Sequence, residues 1–307
     1  GVYMSSSFIR LEVFASISLI IVSSIALSIL TKNIFKTEFF GIKNYLLKIS
    51  YVAIILFLFT LPLGYPENTN WLSYTSNPPT IFTGGTPFPP SNDWLETLEW
   101  IKLNTPEDAV IASWWDYGYW ITTMSERNTI IDNATLETIT IEKMANMFMG
   151  TPEDGLTILN EMGADYVLVF IAAQKINANT EDQLYILGGG GDESKIPWFA
   201  RIAGLPVEKY VIPNTVIGTK YFTEQTMMSK LIPFSGEIYY HPGTGENSPV
   251  YKPGFVEIIS KNIKYNSDDS PLKLVYASPS FMNEKGGSMQ IILLYEINKN
   301  YSFIDNP

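Results

Sequence analysis

Cysteine is absent from these 307 residues and histidine occurs once. No disulfide, thiol nucleophile or Cys-based zinc site can therefore form. The single histidine, His241, sits in a His-Pro-Gly stretch that reads as a surface turn. Histidine catalysis is set aside on that ground. Charge is also scarce: 17% of residues are charged, and acids outnumber bases 31 to 20 for a net charge of −11. A nucleic-acid binder needs a basic face to neutralise phosphates, so this balance argues against that class. No internal repeat is visible along the chain.

Apolar residues are plentiful, at 46%, and the excess lies at the start. From about Phe8 to Leu30 the only charges are Arg10 and Glu12, at the leading edge. About 20 apolar residues span a bilayer, so this run reads as a transmembrane helix. A second run, Ile49 to Leu63 with an extension towards Tyr45, reads as another. Lys32, Lys36, Lys43 and Lys48 lie between them against Glu38 alone, and the positive-inside rule makes that loop cytoplasmic. Everything after Pro66 then faces outward. The first run has no n-region before it and a second span after it, unlike a cleaved signal peptide. The chain starts at Gly1 and enters a span almost at once, so it reads as the C-terminal part of a longer multi-pass protein of the cell membrane.

The fold expected is a membrane-anchored α/β protein. Two transmembrane helices with a Lys-rich loop (1–65) are followed by a Pro-rich external linker (66–92), an α-rich α/β central domain (93–206) and a β-rich peripheral domain (207–307). The central domain follows from alternation. A helix opens at Asn92 or Asp93 with apolar positions 94, 95, 98 and 101, and a short strand covers Ala109–Ser113. Next come a helix at about 116–124, a strand at Thr129–Ile131 and a helix face at Ile141, Met144, Ala145 and Phe148. Thr151-Pro152-Glu153-Asp154 supplies cap, N1 proline and first-turn acids for a helix ending at Gly163. Tyr166–Phe170 is a strand, and Gly188–Gly191 leads towards a helix near Asp192. Strands are expected in the last part at Val207–Ile212, Glu237–Tyr240, Leu272–Tyr276 and Met289–Tyr295.

The most informative segment is Trp114-Trp115-Asp116-Tyr117-Gly118-Tyr119-Trp120. Five large aromatics around one carboxylate suit a walled pocket, where the acid and the indole N–H groups meet a small polar group. It falls where a strand gives way to a helix, the position at which α/β folds place binding groups.

With this run outside a membrane anchor, the sequence resembles the catalytic subunit of oligosaccharyltransferase, and Trp120-Ile121 fits an archaeal member. Asp132-Asn133-Ala134-Thr135 and Asp165–Val169 are similar to family segments in the same order. Asp192-Glu193-Ser194-Lys195-Ile196-Pro197-Trp198-Phe199 is similar to a second signature, Asp-x-x-Lys-x-x-x-Met/Ile, with Phe199 at the last position. The resemblance covers residues 1–205 well and the β-rich tail loosely. It implies transfer of a glycan from a dolichol-type lipid pyrophosphate carrier to Asn of Asn-X-Ser/Thr. Trp114, Trp115, Asp116, Asp192, Lys195 and Phe199 would then wall the site for the Ser/Thr at position +2, and Arg10 would contact the carrier pyrophosphate. The family's Mg or Mn would be held by acidic loops in an N-terminal part that this segment lacks, leaving no catalytic or metal-binding residue here. The partners implied are an acceptor polypeptide, a lipid-linked oligosaccharide and the membrane.

The residues also admit a membrane-anchored carbohydrate-binding module, with Trp rings stacked on sugar faces, or a non-catalytic assembly subunit. Asn133-Ala134-Thr135 and Asn300-Tyr301-Ser302 are themselves outward-facing acceptor sequons.

Overall fold

A computed structural model describes residues 12–36, 42–67, 69–175, 183–186, 190–215, 217–241, 254–283 and 287–303. Arg10 and Gly188–Gly189 lie outside the described residues. The chain divides into two compact units, Gly1–Asn77 and Pro78–Pro307.

In the first unit α1 (Glu12–Lys36) and α2 (Ile42–Gly64) are two helices long and apolar enough to cross a membrane. Ile20, Val22, Ile49 and Phe57 are each more than half exposed, unlike the buried face of a core helix. Such a helix must satisfy its polar side chains internally. Ser18, Ser24, Thr31 and Thr60 accordingly donate to carbonyls four residues back. Lys32 and Lys36 close α1 and Lys43 and Lys48 open α2, so the four lysines gather at the adjoining ends. There the Phe35 and Tyr51 rings meet edge to face, and Lys48 lies over Phe35.

The second unit is built on one sheet. Its strands are β1 (Val110–Ala112), β2 (Asn128–Thr129), β3 (Tyr166–Lys175), β4 (Gln183–Ile186), β5 (Phe234–His241), β6 (Gly254–Ser260), β7 (Leu272–Ala277) and β8 (Ser288–Ile297). One path runs β2-β1-β3-β4-β6-β5, while β8 pairs with the other edge of β3 and with β7. Only β1 is parallel to its neighbours, β2 and β3. The central strand β3 is a Val/Ile/Leu/Phe/Ala run buried from Tyr166 to Ala173, the pattern of a strand covered on both faces. α3 (Asp93–Asn104) buries Trp94, Leu98 and Ile101, and α4 (Thr138–Met149) buries Ile141, Met144, Ala145 and Phe148, the face its spacing dictates. α5 (Pro152–Glu161) starts with a complete capping box between Thr151 and Asp154, and Gly163 follows it at φ +69°.

Four expectations change. The strand expected at Val207–Ile212 is a helical turn, Val207–Tyr210, opened by Pro206. Val207, Tyr210 and Val211 stand at helical spacing, and the latter two are buried. Residues 78–92 are not a free linker. Thr86 and Phe88 are buried, and Gln290 on β8 donates to the carbonyls of Phe82 and Pro89. Gly84, at φ +61°, permits this strap, since a Cβ there would lie 2.5 Å from Phe170. Third, β8 pairs with β3 from Tyr166↔Glu296 to Gln174↔Ser288, so the sheet joins the 93–206 and 207–307 segments in one body. His241 closes β5 rather than sitting in a turn.

Candidate functional site

The aromatic run begins where β1 ends. β1 stops at Ala112 opposite Val167, whereas β3 continues to Lys175 and meets β4 only from Ala173. This leaves the backbone N–H groups of Phe170 and Ala172 without a strand partner on that edge, a costly state inside a core. Two carboxylates fill the gap. Asp192 Oδ2 accepts from Phe170 N at 2.9 Å, and Glu193 Oε2 accepts from Ala172 N at 3.2 Å. Asp192 and Glu193 lie in a 3₁₀ turn, Asp192–Lys195, that leads into α6 (Ile196–Ile202). Both are buried for this structural reason.

Lys195 is the hub of the site. Its ammonium lies 2.9 Å from Asp116 Oδ2, 3.3 Å from Asp192 Oδ1 and 2.8 Å from the Tyr117 hydroxyl, to which it donates. The Tyr117 hydroxyl in turn donates to Asp192 Oδ1 at 2.8 Å. Burial alone would lower the Lys195 pKa, but Asp192 and Asp116 outweigh it and raise the value above that of an ordinary lysine. Burial, then the negative charge of Asp192, pushes the Tyr117 phenol well up. Burial also raises Asp192, against the opposing pull of Lys195. Glu193 is pushed up to about 8 by burial, so it carries a proton at neutral pH, and its Oε1 has no partner among the described residues.

The chain at Trp115–Tyr117 forms a 3₁₀ turn that runs through Gly118–Trp120 into a π-helical turn at Ile121–Ser125. Gly118 is required here, because a Cβ would stand 2.5 Å from Asp132 Cα and 2.6 Å from the Ile131 carbonyl. That close approach brings Asn133 onto the motif's backbone. Its Nδ2 donates to the Asp116 carbonyl at 3.0 Å, and its Oδ1 accepts from Tyr119 N at 3.2 Å. The same loop helps line an open cleft of about 280 Å³ between Thr129 and Ile141.

The aromatic rings divide between two clusters. Tyr117 and Trp120 pack on Trp94 at 4.8 and 5.0 Å between ring centres, with Phe170 beside them. Trp114 stacks on Trp115 at 4.2 Å and takes the edge of Phe199 at 4.4 Å, while Phe199 stacks on Phe148. Trp114, Asp192 and Phe199 are therefore buried. Lys195 is 17% and Asp116 41% exposed at the side chain, and Trp115 is half-buried. The six residues thus form one constellation, in which Trp115, Asp116 and Lys195 reach solvent and the other three support them.

Sequence reasoning gave Tyr117, Asn133, Glu193 and Trp94 no role in the site. Tyr117 lies inside the quoted motif, yet its bridging of Asp192 and Lys195 spans more than seventy residues, and no local signal marks it. Among the described residues no group of three or more His, Asp or Glu side chains is placed to hold a metal ion.

Residues 106–151, which contain β1, the aromatic corner and α4, match the STT3/PglB/AglB core domain. The chain is 31% identical over 153 residues to the dolichyl-diphosphooligosaccharide-protein glycosyltransferase subunit STT3 of Saccharomyces cerevisiae, covering 48% of this chain and 20% of the yeast protein. It is 28% identical over 230 residues to subunit STT3B of Oryza sativa subsp. japonica, covering 69% of this chain and 30% of the rice protein. Among solved structures it is similar to the C-terminal globular domain of oligosaccharyltransferase from Archaeoglobus fulgidus, at 19% identity and a TM-score of 0.40, over 69% of this chain and 100% of that one. The chain is similar to these glycosyltransferase subunits and spans less than a third of the length of either curated relative.

Proposed function

We propose that this chain is the acceptor-recognising segment of an oligosaccharyltransferase, which moves a glycan from a lipid pyrophosphate to Asn of Asn-X-Ser/Thr. Its part is to hold the hydroxyl of the Ser/Thr at position +2. The observation that carries this reading is the half-exposed Asp116 carboxylate, 2.9 Å from Lys195 and next to the Trp114–Trp115 stack. The carboxylate accepts the hydrogen of a side-chain alcohol, and an indole N–H donates to its oxygen. Partial exclusion of water by the rings strengthens both bonds. An acceptor without the hydroxyl leaves these groups unpaired and is rejected. Holding the +2 residue positions the asparagine amide, a poor nucleophile, for attack.

Transfer itself belongs to parts of the enzyme outside this segment, where Mg or Mn would be held, and no step of it is assigned to residues here. In this reading α1 and α2 span the membrane, the four clustered lysines face the cytoplasm and the second unit faces outward. The carbohydrate-module alternative needs open indole faces. Trp114 is buried between Trp115 and Phe199 and offers none, so that alternative would rest on the partly exposed Trp115 and Trp198.

The test is a titration of the full chain in lipid nanodiscs, followed by tryptophan fluorescence. A peptide containing Asn-X-Thr should quench saturably and lose this effect in Asp116→Ala. Saturable binding of free glycan that survives Asp116→Ala would instead make the chain a carbohydrate module.

A further inference from the structure

A second cleft lies outside the constellation described above. It has a volume of about 700 Å³ and sits where Gly218, the short helices Lys220–Gln225 and Met227–Leu231, and strands β5 and β6 meet. Lys230 and Lys264 both line it. Lys264 Nζ donates to the Ser229 carbonyl at 2.6 Å, and Lys230 Nζ donates to the Glu224 carbonyl at 2.8 Å. Each ammonium is thus fixed by a neutral acceptor, and neither makes an ion pair among the described residues. Lys220, at the same cleft, pairs with Glu224 at 3.7 Å. Glu257, the remaining acid in the lining, is buried and turned to the backbone N–H of Gly218 at 2.9 Å.

We infer that this cleft is a binding site for a small oxyanion, a carboxylate or phosphate group, held between the ammoniums of Lys230 and Lys264. Two like charges held at one cavity without a counter-ion repel, and an anion between them removes that repulsion while forming charge-assisted hydrogen bonds. The titration behaviour agrees: burial, then the charge of Lys230, pushes Lys264 down to about 8. Burial holds Glu257 up at about 7, so a substantial fraction is uncharged at neutral pH and repels an anion weakly. The Thr223 and Ser235 hydroxyls donate to backbone carbonyls and offer the cleft only acceptor lone pairs, which suit a ligand with O–H donors of its own, such as an acidic sugar. The cleft stands whether or not Asp116 recognises acceptors, so its test is independent of that reading.

The test is isothermal titration of the full chain in nanodiscs with inorganic phosphate, glucuronate and, as neutral control, glucose. Saturable binding of phosphate or glucuronate is expected, with none of glucose, and whichever anion binds more tightly names the source of the charge. Lys230→Met and Lys264→Met should each weaken binding about tenfold, the loss of one charge-assisted bond. Lys143→Met, whose lysine sits on α4 near Glu161 and does not line the cleft, should leave it unchanged. If a cleft variant fails to fold, anion-induced shifts of the Lys230 and Lys264 resonances in the unsubstituted, Nζ-dimethylated chain give the same answer. Absence of saturable anion binding, or binding unaffected in both variants, overturns the inference.

Discussion

The ammonium of Lys195 stands between the half-exposed carboxylate of Asp116, at 2.9 Å, and the fully buried carboxylate of Asp192, at 3.3 Å. One cation therefore joins the residue that faces solvent to the residue that seals the open edge of β3. Removing it strands Asp192 in the core beside Glu193. Lys195→Met should cost about 3 kcal/mol of stability, the range for breaking one partner out of a buried pair. Urea unfolding followed by tryptophan fluorescence measures this. A cost near zero would mean that the ammonium does not hold the corner together.

Tyr117→Phe separates hydrogen bonding from packing. The ring contacts with Trp94 and Phe170 remain, while the hydroxyl that donates to Asp192 and accepts from Lys195 is lost. The expected loss is about 1–2 kcal/mol. Acceptor-peptide affinity should fall with it, because Lys195 is left less well oriented towards Asp116.

Gly118→Ala sets helix propensity against sterics. Alanine in place of glycine in a helical turn would add up to about 1 kcal/mol of stability. The new Cβ, however, would meet backbone atoms of Asp132 and Ile131 at 2.5 and 2.6 Å, which cannot yield as a side-chain tip can. Overpacking of this kind costs about 1–3 kcal/mol, so net destabilisation is expected. Loss of the Asn133 contact to Asp116 should appear as a changed Asn133 side-chain amide resonance.

Glu193→Gln is read against pH. The folded carboxyl titrates at about 8 against an ordinary value of 4.5, because burial opposes its charge. Between those values the folded state binds more protons than the unfolded one, so stability falls as pH rises from about 4.5 to 8 and then levels. Glutamine cannot titrate, and the variant should show a shallower slope across that window. Glu257, raised to about 7 by burial, contributes in the same direction and remains in the variant. An unchanged slope would show that Glu193 is not held neutral in the fold.

Much of the architecture is legible in sequence where a rule is local. The apolar run of β3, the face of α4 and the Thr151 cap are written in period or cap chemistry, and the structure has them where expected. Val207–Val211 misleads because both a strand and a helical turn bury part of that pattern. The strap at 78–92 reads as a linker because Pro and Gly mark turns in either case, and its fastening by the distant Gln290 and by burial of Phe88 leaves no local mark. Within the site, the residue types of Asp116, Asp192 and Lys195 are visible along the chain. Their division into exposed and supporting groups depends on how far β1 runs along β3, which no local pattern encodes. Tyr117 and Glu193 owe their roles to the same gap.

The direct test of acceptor recognition is a double-mutant cycle in peptide affinity. Binding of Asn-X-Thr and Asn-X-Val peptides, which differ at the +2 side chain by a hydroxyl in place of a methyl, is compared for the unsubstituted chain and for Asp116→Ala. The unsubstituted chain should prefer threonine by about 1–3 kcal/mol, and Asp116→Ala should abolish that preference. A threonine preference that persists in Asp116→Ala, or none in the unsubstituted chain, would contradict a role for this carboxylate in holding the hydroxyl.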